Sequence, residues 1–220
     1  MGSGRMDFLL VLVPMIFRGL KYTLIIAVVG IILGFIIGSL SGYALQSKNK
    51  VAKTVANIYI WLIRGTPLIV QALYIYYVVP KILNVNLSSN AAGIIVITLN
   101  SGAFISEIVR GALQGINYGQ VEAGLSLGLS ANQTLWHIVV PPAFKAMVPA
   151  LFNQFIITVK DTALLSVIVV NEITKQIQNY AALSYKTIEA YTTGAIFYLI
   201  IISVLIQIQK LVEKKMGVKQ

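Results

Sequence analysis

The chain has 220 residues, of which 57% are hydrophobic and 11% are charged, and a folded chain of this length cannot hide so much apolar surface from water. Its net charge of +10 comes from basic residues that flank apolar runs, which favours lipid headgroups over nucleic acid as their partner. A soluble domain is therefore excluded, and the absence of cysteine excludes disulfides, thiolate metal sites and thiol nucleophiles.

The amino terminus reads MGSGRM, and its residues 1–5 resemble an expression-tag remnant. We treat residues 6–220 as one transmembrane domain. Residues 8–17 are apolar, but they contain Pro14 and are followed by basic residues. They are therefore predicted to form a short amphipathic segment that lies at the membrane interface and does not cross the bilayer.

Five apolar stretches are long enough to cross a bilayer as helices. They are residues 22–45, 55–79, 91–113, 148–170 and 189–211. Lysines are most frequent in the connections on one side, which include 114–147 and the carboxyl terminus. The positive-inside rule therefore places these in the cytoplasm and the amino terminus outside. The expected fold class is an all-α integral membrane protein with five transmembrane helices.

The first span carries a glycine at every fourth position. These glycines are Gly30, Gly34, Gly38 and Gly42. Residues four apart lie on one helix face, so another helix can approach this face closely. The pattern predicts a packing seam, and the alternative is that glycine is simply frequent in membrane helices.

The second span contains the sequence RGTPL, in which Pro67 follows Arg64 by three residues. Proline lacks the backbone N–H that a helix needs. We therefore expect a kink that frees a carbonyl near Arg64 and Thr66, and this kink could serve either a hinge or packing alone.

The connection between the third and fourth spans is long, yet it is neither polar nor low in complexity. Within residues 118–142, Ser130 is followed three residues later by Gln133, which resembles a capping box. Pro141 and Pro142 are expected to stop the second short helix. The pattern predicts a helix-turn-helix that docks into a partner's groove, and the alternative is an interfacial helix that re-enters the membrane.

The same connection resembles a known family, the membrane-spanning subunits of binding-protein-dependent ABC importers. The family motif reads Glu-Ala-Ala, three residues, Gly, nine residues, then Ile-x-Leu-Pro. The matching residues here are Glu122, Ala123, Gly124, Gly128, Ile138, Val140 and Pro141. Residues 61–77 and 159–174 also resemble stretches of the polar amino acid permeases of the histidine, arginine and glutamine group.

The resemblance implies a type I ABC importer permease fold in the bacterial cytoplasmic (inner) membrane and a dimer of identical or similar permease copies. It implies two cytoplasmic ATPase subunits, which bind ATP and Mg, and an extracytoplasmic amino-acid-binding protein. The chain itself lacks a GxxxxGK[ST] phosphate loop, so it is expected to be no enzyme and to bind no cofactor of its own. By the resemblance, the coupling element that contacts the ATPase comprises Glu122, Ala123, Gly124, Gly128, Ile138 and Pro141. Glu122 either pairs with a basic residue of the ATPase or caps its own helix.

Several polar residues of the spans share one depth near the midplane, counted at 1.5 Å per residue. They are Gln71, Asn100, Ser101 and Asp161. A charge inside lipid costs about 2.5–3.5 kcal/mol and therefore needs a partner or a wet cavity. We hypothesise that these residues line a cavity that receives an amino acid, with Asp161 favouring a cationic group. In the alternative, Asp161 and the adjacent Lys160 pair with other helices to fix packing.

Two further residues are weaker candidates for contact with substrate. Glu107 is a second anionic candidate, although it stands three residues before Arg110 and can pair with it along the helix. Tyr74 belongs either to an aromatic belt at the membrane surface or to the substrate pathway.

The expected function is import of a polar amino acid, cationic (arginine, histidine or lysine) or glutamine, by alternating access driven by ATP. One competing function is a self-sufficient secondary transporter or channel, which should show inverted repeats. An intramembrane enzyme is disfavoured because the sequence contains no HExxH motif and no cysteine.

Overall fold

A computed structural model of the chain describes residues 7–217, and the predicted tag remnant, residues 1–5, lies outside them. Regular structure within the described range is helical. The α-helices are α1 (Asp7–Gln46), α2 (Lys50–Arg64), α3 (Leu68–Leu73), α4 (Val79–Leu83), α5 (Ser89–Gln114), α6 (Tyr118–Ser126), α7 (Ala131–Thr134), α8 (Val140–Asp161), α9 (Ile173–Ser184) and α10 (Thr187–Met216). Wider π-helical turns, Tyr74–Val78 and Leu135–Val139, join α3 to α4 and α7 to α8, and a 3₁₀-helix, Thr162–Ile168, follows α8.

Four helical segments are long and apolar enough to cross a membrane, and the bent pair of α2 with α3–α4 makes a fifth if its two arms count as one span. The predicted stretches 22–45, 91–113 and 189–211 fall inside α1, α5 and α10. The stretch 148–170 falls largely inside the continuous segment Ala131–Ile168. The predicted all-α class is therefore confirmed.

Residues 8–17 are not a separate segment, because they form the first turns of one continuous helix, α1; their place at the membrane interface stays a prediction. Pro14 lies inside this helix on its exposed side. Leu12 and Ile16 point the other way and are buried against Ile173 and Ile177 of α9. The apolar contacts with α9 stabilise the helical turns and offset the hydrogen bond that the proline removes.

The glycine row of α1 lies against α5, and these two helices form the most extensive helix pair of the fold. A Cβ added at Gly38 would lie 2.8 Å from the carbonyl oxygen of Gly102, and one at Gly42 would lie 2.6 Å from that of Ser106. Neither distance leaves room for a methyl group, so the two backbones approach as closely as they do only because these positions are glycine.

Candidate functional site

The second predicted span, 55–79, is broken rather than kinked. The axes of α2 and α3–α4 differ in direction by 103°. The change of direction is therefore much larger than the kink that the sequence predicted. Pro67 has extended backbone angles of φ −64° and ψ 140°. Its ring also disfavours helical backbone angles at the residue before it, Thr66. The helix therefore stops at Arg64 and restarts at Leu68.

The side chain of Gln71 reaches back across this break. Its amide nitrogen Nε2 donates to the carbonyl oxygen of Ile63 at 2.7 Å and to that of Thr66 at 3.0 Å. It also lies 3.0 Å from Oγ1 of Thr66, whose hydroxyl in turn donates to the Leu62 carbonyl at 2.9 Å. The backbone groups left free by the break therefore find their partners in side chains of the same segment.

The structure brings two of the predicted midplane residues together. Asn100 of α5 donates from Nδ2 to Oε1 of Gln71 at 3.4 Å, and each residue is only 7% exposed. Ser101, one residue further along α5, faces α1 instead, and its Oγ lies 3.3 Å from the carbonyl oxygen of Gly30. One helical residue turns the side chain by about 100°, which separates Ser101 from the amide pair.

Within the described range, no hydrogen bond joins Asp161 to the amide pair. Asp161 is half-buried at the carboxyl end of α8. Among residues 7–217, no basic group lies within 4.0 Å of its carboxylate. Tyr74 begins the π-helical turn and is 53% exposed, so its ring lies on the surface of the single chain.

Glu107 sits between two arginines. Its Oε2 accepts hydrogen bonds from Arg110 at 2.6 Å and 2.9 Å, which confirms the predicted pairing along α5. Its Oε1 lies 3.8 Å from Nη1 of Arg64, whose guanidinium also lies 5.5 Å from the ring centroid of Phe104. The cluster therefore carries one net positive charge beside the break, and Glu107 is not a free anion.

Sequence reasoning missed two buried polar residues on α8. Gln154 and Thr158 are 5% and 2% exposed, and Nε2 of Gln154 lies 3.5 Å from Oγ1 of Thr158. Gln154 and Thr158 are four residues apart, and Asp161 follows three residues later, so the three form a polar stripe on one helix face. This spacing is visible in the sequence and could have identified them. Among residues 7–217 no group of three or more His, Cys, Asp or Glu side chains could hold a metal ion.

The connection between α5 and α8 folds into helices, and its capping box is confirmed. The Ser130 hydroxyl accepts from the Gln133 N–H, and the Gln133 side chain accepts from the Ser130 N–H. The expected stop at Pro141 and Pro142 was wrong, because α7, a π-helical turn and α8 run on as one segment. The wider turn Leu135–Val139 ends two residues before Pro141 and accommodates residues that lack an N–H.

The residues of the family motif divide into a packed and an exposed set. A Cβ added at Gly124 would lie 2.5 Å from Cδ1 of Ile138, so these two residues hold α6 against the following segment. Gly128, between α6 and α7, has a φ of +84°, which favours glycine. Glu122 and Ala123 are exposed, and Asn117 rather than Glu122 caps α6.

Comparison with known proteins assigns the chain to a family. Residues 30–218 match the binding-protein-dependent transport system inner membrane component. The chain is 41% identical to the glutamine transport system permease protein GlnP of Escherichia coli (strain K12) over 207 residues, 94% of each chain. It is 34% identical to the L-cystine transport system permease protein TcyB of Bacillus subtilis (strain 168), over 92% of this chain and 87% of TcyB.

A solved structure of an amino acid ABC transporter with histidines superimposes with a TM-score of 0.87 at 32% identity, over 95% of this chain and 98% of that chain. The chain therefore belongs to the binding-protein-dependent transport system inner membrane components and has the type I ABC importer permease fold. It is a permease of an amino acid ABC importer.

Proposed function

We propose that this permease passes a neutral polar amino acid of the glutamine type along a pathway beside the break between α2 and α3. The observation that carries the proposal is the charge around the break. Arg64, Glu107 and Arg110 leave one net positive charge there. A half-exposed guanidinium, such as that of Arg64, suits the α-carboxylate of an amino acid.

Asp161 supplies the opposite charge in this proposal. Because its carboxylate has no ion-pair partner among residues 7–217, it can receive the α-ammonium group of the substrate or, as first expected, a cationic side chain. The glutamine permease of E. coli at 41% identity supports the first role. Glu107 borders the same pathway, whereas direct contact of substrate with the buried residues Asn100 and Gln71, and with Ser101 and Tyr74, stays a prediction.

The energy comes from partner subunits in this proposal. Two ATPase subunits bind ATP and Mg in the cytoplasm, a binding protein delivers the amino acid from outside, and a second permease copy completes the pathway for alternating access. Residues 118–142 dock on the ATPase and present the exposed side chains of Glu122, Tyr118 and Leu127. This orientation places the carboxyl terminus in the cytoplasm and the amino terminus outside.

Uptake into proteoliposomes that contain the permease, its ATPase and its binding protein tests the proposal. We expect ATP-dependent uptake of glutamine that Glu122→Ala lowers by about tenfold. Glu189→Ala is the matched control, because Glu189 is also exposed but lies in the first turn of α10. Uptake without any ATPase would favour the self-sufficient transporter and contradict the proposal.

Asp161→Asn separates the two roles of the carboxylate. If Asp161 binds the α-ammonium group, this substitution lowers uptake of every amino acid. If it binds a cationic side chain, uptake of arginine falls and uptake of glutamine does not. Unchanged uptake of both would remove Asp161 from the pathway.

A further inference from the structure

The break in the second span leaves one specific backbone group without its ordinary partner. In an α-helix the carbonyl of residue 63 accepts from the N–H of residue 67. Residue 67 is Pro67, which has no N–H to donate. Nε2 of Gln71 lies 2.7 Å from the Ile63 carbonyl oxygen, so this side chain supplies the donor that the backbone lacks.

The rest of the Gln71 amide is also engaged. Its Nε2 contacts both oxygens of Thr66 at 3.0 Å, and its Oε1 accepts from Asn100 on α5 at 3.4 Å. An amide nitrogen carries two hydrogen atoms, and Gln71 has three acceptors for them. Gln71 is 7% exposed, so it has neither a free donor nor an open face for a substrate.

We propose that Gln71 is a positioning residue of the transport pathway and not a substrate ligand. Its amide holds α2 and α3 at their bend by standing in for the N–H that Pro67 lacks, and Asn100 ties the bend to α5. The part of this inference that concerns transport rests on the proposed function. The part that concerns the bend does not.

A distance measured across the break tests the bend directly. The chain contains no cysteine, so Ile58→Cys and Ile82→Cys introduce the only two thiols for spin labels. Ile58 and Ile82 are 55% and 68% exposed in the chain, and they lie on opposite sides of the break. A continuous helix would separate them by about 36 Å, whereas the bent arms bring them to roughly 20–25 Å.

We expect Gln71→Met to lengthen the mean distance by about 5 Å or more and to broaden its distribution. Gln154→Met is the matched control, because Gln154 is equally buried but lies on α8 and bonds to Thr158. We expect this control to leave the distance unchanged. A distribution for Gln71→Met that equals that of the unsubstituted chain would overturn the proposal.

A second variant covers the case in which Gln71→Met does not fold. Pro67→Ala restores a backbone N–H, so the double variant Pro67→Ala/Gln71→Met no longer needs the side-chain donor. We expect it to fold and to show a distance near that of a continuous helix. If the double variant is as poorly folded as Gln71→Met alone, the missing donor is not what Gln71 supplies, and the proposal fails.

Transport kinetics then separate a positioning residue from a ligand. In the complex with ATPase and binding protein, we expect Gln71→Met to lower the kcat of glutamine uptake by about tenfold, with the KM for the loaded binding protein unchanged. A raised KM with an unchanged kcat would make Gln71 a substrate ligand. If no uptake occurs in any variant, the proposed function fails, while the distances still decide the role of Gln71 at the bend.

Discussion

The two faces of α5 differ in the contacts that dominate them. Towards α1, the backbones touch at glycines, and a methyl group at Gly38 would lie 2.8 Å from the Gly102 carbonyl oxygen; the Ser101 hydroxyl adds one hydrogen bond on this face, to the Gly30 carbonyl oxygen at 3.3 Å. Towards the bent span, α5 is held by side-chain hydrogen bonds from Tyr59 and between Asn100 and Gln71. Close backbone packing has one geometry, whereas side-chain hydrogen bonds can exchange partners. We therefore expect the first face to stay fixed during transport and the second to move.

The largest effect is expected where a single methyl group enters the fixed face. Gly38→Ala should lower the free energy of unfolding by about 2–3 kcal/mol, because the neighbouring backbone cannot move aside. Gly111→Ala is the control on α5, since nothing lies within 4 Å of a Cβ there, and it should gain up to about 1 kcal/mol of helix propensity. Thermal unfolding in detergent measures both, and equal effects would contradict the seam.

The second prediction concerns Glu172, at the junction of α1 with α9. The two helices approach closely there, since a Cβ at Gly19 would lie 2.7 Å from Cα of Ile173. Glu172 lies in the connection between the 3₁₀-helix and α9 and is fully buried. Its carboxylate caps α9 by accepting from the N–H groups of Thr174 and Lys175. Burial raises the pKa of its carboxyl from 4.5 to about 7. The folded state therefore keeps a proton that the unfolded state has lost in this range, so stability falls as the pH rises from about 4.5 to about 7 and is flat above it.

We expect the melting temperature to fall by roughly 5 °C over this pH range. Glu172→Gln removes the titrating group and should flatten the profile. Thermal unfolding at closely spaced pH values measures the slope, and an unchanged slope in Glu172→Gln would assign it to other groups.

A smaller effect is expected at the hydrogen bond between α2 and α5. The Tyr59 hydroxyl donates to the Leu99 carbonyl oxygen at 2.6 Å, so Tyr59→Phe should cost about 1 kcal/mol. Tyr43→Phe is the control, because Tyr43 is 55% exposed on α1. If both substitutions leave the unfolding temperature unchanged, this bond does not hold α2 to α5.

The smallest effect on stability is expected at Arg64, where transport should respond instead. Arg64→Met removes the ion pair with Glu107, in which the two charged groups lie 3.8 Å apart and the side chains are 45% and 29% exposed. Such an exposed pair contributes less than about 0.5 kcal/mol to the free energy of unfolding. Glu107 keeps its bond to Arg110. Glutamine uptake should nevertheless fall, and Arg18→Met, an exposed arginine on α1, should not lower it. A large loss of stability with normal uptake would reverse the assignment.

The three proline sites show how far the sequence predicts the fold. Proline removes one N–H wherever it stands, yet Pro14 lies inside a continuous helix, Pro67 marks a break, and Pro141 follows a π-helical turn. Which of these occurs depends on the partners that tertiary packing provides, such as α9 beside Pro14. The length of the apolar stretch, in contrast, predicted both ends of α5 (Ser89–Gln114) to within two residues, because the thickness of the bilayer determines how long such a stretch must be.

The sequence predicted at what depth in the membrane the candidate residues lie, but not in which direction their side chains point. Counting residues from the span ends placed Gln71 and Asn100 in one layer, and the structure joins them by a hydrogen bond. The same count could not show that Ser101 turns towards α1 or that Arg64 reaches Glu107. Both depend on how each helix is rotated about its axis, which close packing with neighbours determines.

The most direct test of the difference between the two faces is a pair of distances measured in the assembled transporter with and without ATP. One spin-label pair, Ile58→Cys and Ile95→Cys, joins α2 of the bent span to α5, and the other, Ile36→Cys and Phe104→Cys, joins α1 to α5, with all four labels at exposed positions. We expect ATP to change the first distance by about 5 Å or more and to leave the second constant within about 2 Å. A change between α1 and α5 with a constant distance between α2 and α5 would contradict this expectation.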